Sequence, residues 1–415
     1  MKNPANILPT TRREFLRLSG TGIGLLAFSR FAPDFLVQST LAQTPAPEKD
    51  RSILVLVQLA GGNDGLNTVI PFEDANYYQL RPGLAIPKEK VLRLSDTMGL
   101  HPSCNELHSL FKDGKLGVVQ NVGYPNPNRS HFRSTDIWES GSDSDDVVST
   151  GWIGRFLDNA CAGAPQGHDP LAVHVCNEVP PAFLAEKNHP TFGVLPTAGK
   201  RGRGKSPTLL EELVNSGAHA EPQDNATFLQ QTMMDTLVTE RRVQELLGSY
   251  KSDTPYPSTV FGMSLRNVAA LISARLPTRV YFVSLSGFDT HANQAASHQN
   301  LLKTLSDGLA AFQKDLEARK LADQVLTMTF SEFGRRPMEN ESKGTDHGTA
   351  APLFVMGTQM KGGMHGTAPD LNLKRNQDLT FSTDFRQVYS TVLDKWLACP
   401  SEAVLGKRFD PIAFL

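Results

Sequence analysis

The chain lacks a Cys-x-x-Cys pair. Its four cysteines, Cys104, Cys161, Cys176 and Cys399, stand far apart, which argues against a zinc knuckle. In an oxidising compartment they can pair in three ways; reduced, they pack as small apolar residues. An excess of positive charge is also missing. The 41 Lys and Arg against 43 Asp and Glu leave a formal charge of −2, which argues against a nucleic-acid partner. Beyond the N-terminus no apolar run reaches the roughly 20 residues that a membrane span needs. No internal repeat is visible.

The N-terminus is different. Thr11-Arg12-Arg13-Glu14-Phe15-Leu16-Arg17 is basic, Leu18 to Phe28 is apolar, and Thr40-Leu41-Ala42 is a small-residue cleavage site. That is the layout of a secretory signal, and the arginine pair before Phe15-Leu16 points to the twin-arginine route. Gly20, Gly22 and Gly24 keep the run only weakly apolar. Removal of residues 1–42 takes away Lys2, Arg12, Arg13, Arg17 and Arg30 with Glu14 and Asp34, so the mature charge becomes −5. The expected partner during export is the twin-arginine translocase, and the expected location is periplasmic or extracellular.

Several β-branched apolar runs end in polar clusters. Ile53–Leu59 stops at Gly61-Gly62-Asn63-Asp64. Leu116–Val122 leads to Arg129, Ser130 and His131. Arg279–Leu285 leads to Asp289-Thr290-His291, and Val325–Phe330 to Ser331-Glu332-Phe333-Gly334-Arg335-Arg336. Leu353–Met356 is a candidate fifth run. Such runs suit strands buried on both faces of a parallel sheet. Between the third and fourth, Leu301, Leu305, Leu309, Phe312 and Leu316 recur at helical spacing, which makes a βαβ unit. Further helices are expected over 226–250 and 261–276. The Gly-, Pro- and Lys/Arg-rich stretch 196–222 reads as an exposed loop. It contains a match to the phosphate-loop pattern at 199–206, but Pro196 and Pro207 flank it, so a solvated basic loop is the better reading.

Ligands of parallel sheets gather at the carboxyl ends of the strands. Asp64, Asp289, His291, Glu332, Asp346 and His347 offer the carboxylate and imidazole donors that suit Zn²⁺, Mn²⁺ or Mg²⁺. Two such ions about 4 Å apart can clamp a phosphoryl or sulfuryl group. Ser130 is the candidate nucleophile. Arg129, Arg133, Arg335 and Arg336 are candidates to hold an anionic substrate. Each position also has a plainer reading. Asp64 in Asn-Asp-Gly can simply shape a turn, Ser130 can cap a helix, and Glu332 can pair with Arg335 or Arg336.

Six segments together resemble the domain-of-unknown-function 1501 family. They are Gln58–Asn67, Ser130-His131-Phe132, Gly151-Trp152-Ile153-Gly154-Arg155, Gly287–His291, Ser331–Arg335 and Gly344–Gly348. That family is similar to the alkaline phosphatase and sulfatase superfamily. The resemblance implies an α/β/α sandwich with a mostly parallel sheet over 43–415, with a loop or helical insertion at about 196–276. It implies that Asp64 is a first metal-binding aspartate, that Asp289 and His291 are an Asp…His ligand pair, and that His347 is a last histidine ligand. Where the superfamily commonly has Asp-His-Gly, this chain has Glu332-Phe333-Gly334, so a phenyl ring replaces one imidazole.

These features lead to an exported metal-dependent hydrolase of phosphate or sulfate esters, with one or two divalent ions and an anionic ester or glycan as substrate. The alternative is a cell-envelope binding or structural protein that keeps only the fold. Export depends on the arginine pair, because Lys does not replace Arg geometrically. Changing Arg12 and Arg13 together to Lys is expected to leave the precursor in the cytoplasm. Cell fractionation checks this, and normal periplasmic accumulation would sink the assignment.

Overall fold

The most apolar run of the sequence becomes the centre of the main sheet. In chain order the strands of that sheet are β1 (Ile53–Ala60), β2 (Leu116–Gly123), β3 (Ala172–Val175), β4 (Thr191–Gly193), β5 (Val280–Ser286), β6 (Val325–Phe330), β7 (Ala351–Met356), β8 (Gly363–His365) and β9 (Thr383–Asp384). The spatial order is β8-β2-β7-β6-β1-β5-β3-β4, with β9 beside β2. The computed structural model describes residues 52–160, 170–176, 178–187, 189, 191–195, 242–374 and 376–415. These strands and the helices below belong to one compact unit, Pro45–Ala198 with Leu246–Leu415. The expected signal (1–42), the basic loop at 199–206, Cys161 and most of the helix expected over 226–250 lie outside the described residues.

β1 is parallel to β5 and to β6, with Leu59 opposite Leu285 and Gln58 opposite Phe330. Leu54, Val55, Leu56 and Val57 are all fully buried, as a strand covered on both faces requires. β7 alone runs against its neighbours β2 and β6. The α/β architecture with a mostly parallel sheet is therefore the observed one. The βαβ unit read from the sequence is present, with β1 lying between its two strands.

Helices cover the two faces. Strand residues alternate between faces. Leu54, Leu56, Phe282, Leu326 and Met328 enter one core with Trp138, Trp152 and Phe385. After α1 (Asn105–Lys112), α2 (His131–Ser140) supplies Trp138, α3 (Trp152–Ala160) supplies Trp152 and the helix Phe385–Thr391 supplies Phe385. Trp152 stacks on Tyr389 with centroids 4.3 Å apart, and Trp138 stacks on Phe385 at 4.4 Å. Arg155 donates to the carbonyls of Thr150, Ser140 and Val404. The Gly151–Arg155 motif is thus a packing device. On the other face, the helix Gln294–Ala318 buries Leu302, Leu305, Leu309, Phe312 and Leu316, each worth about 1.5–3 kcal/mol against exposure. Its neighbour Val260–Ser273 starts at a Thr259 cap, whose hydroxyl accepts from Gly262 N at 3.1 Å. Among the described residues no helix is long and apolar enough to cross a membrane. Cys104, Cys176 and Cys399 are free thiols, two of them buried.

One buried acid in this core sets a pH dependence. Glu139 is 3 % exposed, and its Oε2 accepts from Ala182 N at 2.9 Å. Burial pushes its carboxyl up from 4.5 to about 7, against the lowering effect of that hydrogen bond. A carboxyl that holds its proton more tightly in the folded chain stabilises the fold fully below the unfolded pKa. That contribution drains away as pH rises through the folded value. Glu139→Gln keeps the acceptor oxygen and removes the charge. It is expected to exceed the wild type in stability at pH 8 by on the order of 1–3 kcal/mol, with no advantage at pH 4. Urea unfolding at the two pH values checks this, and an equal difference at both would refute it.

Candidate metal centre

Because β1, β5 and β6 run the same way, their carboxyl ends share one edge of the sheet. That edge receives Gly61–Asp64, Phe288–His291 and Ser331–Phe333. β2 points the same way, being antiparallel to β7, and its exit leads to α2, whose first residue is His131. β7 is reversed, so the loop that enters it, with Thr345, Asp346 and His347, arrives at this edge as well. The topology thus gathers His131, Asp289, His291 and His347 from three distant stretches of chain.

Asp289 Oδ1 is their meeting point. It lies 3.0 Å from His291 Nε2, 3.1 Å from His347 Nε2 and 3.5 Å from His131 Nε2. His291 Nε2 and His347 Nε2 are 2.9 Å apart. The other nitrogen of each ring faces an oxygen. His131 Nδ1 is 2.8 Å from Glu332 Oε1, His347 Nδ1 is 2.8 Å from the Arg129 carbonyl, and His291 Nδ1 is 3.4 Å from Asp346 Oδ1. Each ring thus has a hydrogen-bonding oxygen at Nδ1 and turns Nε2 toward Asp289 Oδ1. The Arg335 guanidinium approaches this meeting point from the protein side, with Nη2 2.6 Å from Asp289 Oδ1 and Nη1 3.5 Å from His291 Nε2, and a metal ion on the open side would be met by the three Nε2 atoms and that oxygen. Ligands about 2.0–2.1 Å from one tetrahedral ion stand roughly 3.4 Å apart, and the distances here bracket that spacing. The ligand atoms of His131, Asp289 and His347 all lie within 4.8 Å of one another. His291 joins them through Asp289 and His347. The donor set fits one divalent ion of the zinc or manganese kind.

Arg335 holds the loops that carry these groups. Its side chain is fully buried. Nε donates to Gly62 O at 2.8 Å and Nη1 to Thr345 O at 2.9 Å. Nη2 donates to Phe288 O at 3.1 Å, to Asp289 Oδ1 at 2.6 Å and to Gly61 O. Burial raises the Asp289 pKa, but the Arg335 and His347 hydrogen bonds outweigh it and bring it to about 2. Gly61 and Gly62 have φ of +117° and +81°, a left-handed conformation that glycine adopts freely. A Cβ on Gly62 would lie 2.4 Å from the Phe333 ring. That ring is buried and packs 4.9 Å from His131 and 4.6 Å from His347.

The remaining residues named from sequence are distributed around this cluster. Glu332 and Asp346 stand behind His131 and His291, where they orient the rings. Asp64 is fully buried and ion-paired with Arg81 at 2.6 Å. Burial raises its pKa, yet Arg81 pulls it below the usual value. It shares no hydrogen bond with the three histidines. Ser130 is exposed at the start of α2, and its hydroxyl does not cap the helix. Arg129 pairs with Asp378, which also lies 3.5 Å from Arg336 Nε. Arg133 turns to Asp136 and to the carbonyls of Ser144 and Asp146. The buried donors of Arg335 are given to loop carbonyls and to Asp289, and Nη1 also lies 3.5 Å from His291 Nε2. The residue that sequence reasoning missed is His131. Its signal was position, one residue after Ser130 at a strand exit.

The family model described as "Protein of unknown function (DUF1501)" matches residues 204–399, in agreement with the resemblance read from the sequence. No curated protein matches the chain. Among solved structures it is similar to Ps i-CgsB in complex with k-i-k-neocarrahexaose, at 9% identity and TM-score 0.39 over 87% of this chain and 73% of that one. It is similar to the C-terminal periplasmic domain of EcEptC from Escherichia coli in complex with Zn, at 11% and 0.36 over 76% and 75%. A third is a protein in the alkaline phosphatase superfamily from Vibrio parahaemolyticus, at 9% and 0.32 over 82% and 73%. Likenesses of this size carry nothing about activity.

The geometry makes His131 equal in weight to His347. His131→Ala and His347→Ala are each expected to weaken zinc binding by at least about 100-fold, and Glu332→Gln by about tenfold, since the amide oxygen still accepts from His131. Calorimetric zinc titration reads these values. Unchanged affinity in His131→Ala would show that this ring is not a ligand.

Proposed function

We propose that this chain is an exported metal-dependent hydrolase of phosphate or sulfate monoesters. The reading is carried by one observation: three imidazoles, each anchored by Nδ1 to an oxygen, turn Nε2 toward the same oxygen of Asp289. His131, His291, His347 and Asp289 would hold one divalent ion. Bound there, the ion supplies Lewis-acid polarisation of the ester's phosphoryl or sulfuryl group and favours ionisation of a nearby hydroxyl.

Ser130 is the nucleophile in this reading. Its hydroxyl is exposed, carries no capping bond, and stands at the amino end of the ten-residue helix α2. A helix amino terminus favours an anion there through its free N–H groups and its dipole. Attack by Ser130 Oγ forms the bond to phosphorus or sulfur and breaks the bond to the alcohol, which leaves with a proton. Water then attacks the same phosphorus or sulfur, the bond to Ser130 Oγ breaks, and inorganic phosphate or sulfate leaves while Oγ regains a proton. Arg129, about half exposed and ion-paired with Asp378, would meet an anionic group by exchanging that carboxylate for it, and its own carbonyl supports His347. Arg335 contributes by fixing Asp289 rather than by meeting substrate.

One observation favours a non-catalytic binding protein instead. Asp64, expected from the resemblance as a first metal-binding aspartate, is taken by Arg81. A single experiment separates the two readings. Ser130→Ala is expected to bind zinc as the wild type does while p-nitrophenyl phosphate and sulfate turnover falls by at least about 100-fold. Zinc binding without turnover in the wild type would leave the binding protein.

A further inference from the structure

A cleft of about 240 Å³ lies beside the candidate centre and shares a wall with it. Asp346 is that wall. It lines the cleft, and its Oδ1 is 3.4 Å from His291 Nδ1. Asn340 lines the cleft too and donates to Asp346 Oδ1 at 3.1 Å and to the His291 carbonyl at 3.0 Å. A group that fills the cleft is therefore one side chain away from an imidazole of the centre.

We infer that this cleft receives the alcohol part of the ester, and that the alcohol is a polyhydroxylated ring, a single sugar-like unit. The inference rests on the hydrolase reading. The chemistry of the lining selects the ligand. Among the described residues, Lys374 Nζ, the Asn376 amide and the Glu341 carboxylate have no hydrogen-bond partner. Donors and acceptors thus stand side by side with capacity to spare. A hydroxyl both donates and accepts, so several hydroxyls on one ring can use both kinds. An alkyl or aryl alcohol would desolvate these groups and return nothing. A second anionic group would meet Glu339, Glu341 and Asp346 against only Arg336 and Lys374. Glu339 is already committed, accepting from Gly83 N and Leu84 N at 2.7–2.9 Å, which makes it fixed wall. Met338 and Leu373 add an apolar strip for the C–H face of a ring. The volume lies below the roughly 300–1,000 Å³ that takes a drug-sized ligand, so one ring fits and a chain of rings extends into solvent.

The test uses the mature protein loaded with zinc, with Lys374→Ala and Glu341→Ala as variants. Steady-state kinetics compares a hexose 6-ester with the p-nitrophenyl ester of the same acid, phosphate or sulfate. In each variant the ratio of kcat/KM for the hexose ester to that for the aryl ester is expected to fall by about tenfold, through KM. An unchanged ratio overturns the inference. Calorimetric titration with the hexose ester keeps the two readings distinguishable. If the wild type turns over neither ester yet binds the hexose ester, and both variants lose that binding, hydrolysis fails and the sugar subsite stands. If the aryl ester is turned over while hexose-ester binding is absent, or is the same in all three proteins, the subsite fails and hydrolysis stands.

Discussion

The buried guanidinium of Arg335 is the interaction on which the site edge depends. One side chain gathers carbonyls of Gly61, Gly62, Phe288 and Thr345 and the Asp289 carboxylate. Those groups belong to three loops that the sheet merely brings near one another. A buried charge costs several kcal/mol unless it is paired and its donors are satisfied, and here both conditions are met. The same contacts explain the glycines. Gly61 must present its carbonyl to Arg335 while its backbone passes Asp289 too closely for a side chain: a Cβ there would lie 2.4 Å from Asp289 N. Asp289 in turn stays ionised and aimed because Arg335 holds it from the protein side, while three imidazoles face it from the other.

The strands were legible because burial on both faces writes itself as unbroken apolar runs, and Ile53–Leu59 and Val325–Phe330 are of that kind. β3 and β4 were not read; β4 is a short, partly exposed edge strand, and such strands leave little pattern. The reversed direction of β7 has no signature in its composition, yet it decides that His347 arrives at the correct edge. At the site, Asp289, His291 and His347 were visible because imidazoles in glycine-flanked loops rarely serve packing. His131 was hidden by its neighbour: Ser130 offered a simpler chemical story. Glu332 and Asp346 were recognised as important but given a ligand role. Only geometry distinguishes a carboxylate facing an ion from one that grips the far nitrogen of a ligand imidazole.

Asp64 carries the largest departure from what the resemblance implied. The ion pair with Arg81 is fully buried. Arg81 also donates to the carbonyls of Pro337 and Arg336 and to Asn67. A permanent organic cation is thus built into the chain beside the carboxylate, and it ties the first strand's exit loop to the segment that follows Arg335. Asp64 Oδ1 keeps no partner, so the pair is not saturated.

The ligand groups come from stretches that are remote along the chain: Glu332 supports His131 across 201 positions, and the Arg129 carbonyl supports His347 across 218. An ion held by all of them is a topological staple. Closing loops of that length costs little more than closing shorter ones, about 0.6 kcal/mol for each doubling. A cross-link across them removes correspondingly much freedom from the unfolded chain. The described thiols Cys104, Cys176 and Cys399 are unpaired, so no disulfide among them does this work. The stability of the fold would then track the free divalent-ion concentration of the surroundings, rising with the logarithm of that concentration as for any ligand bound only by the native state.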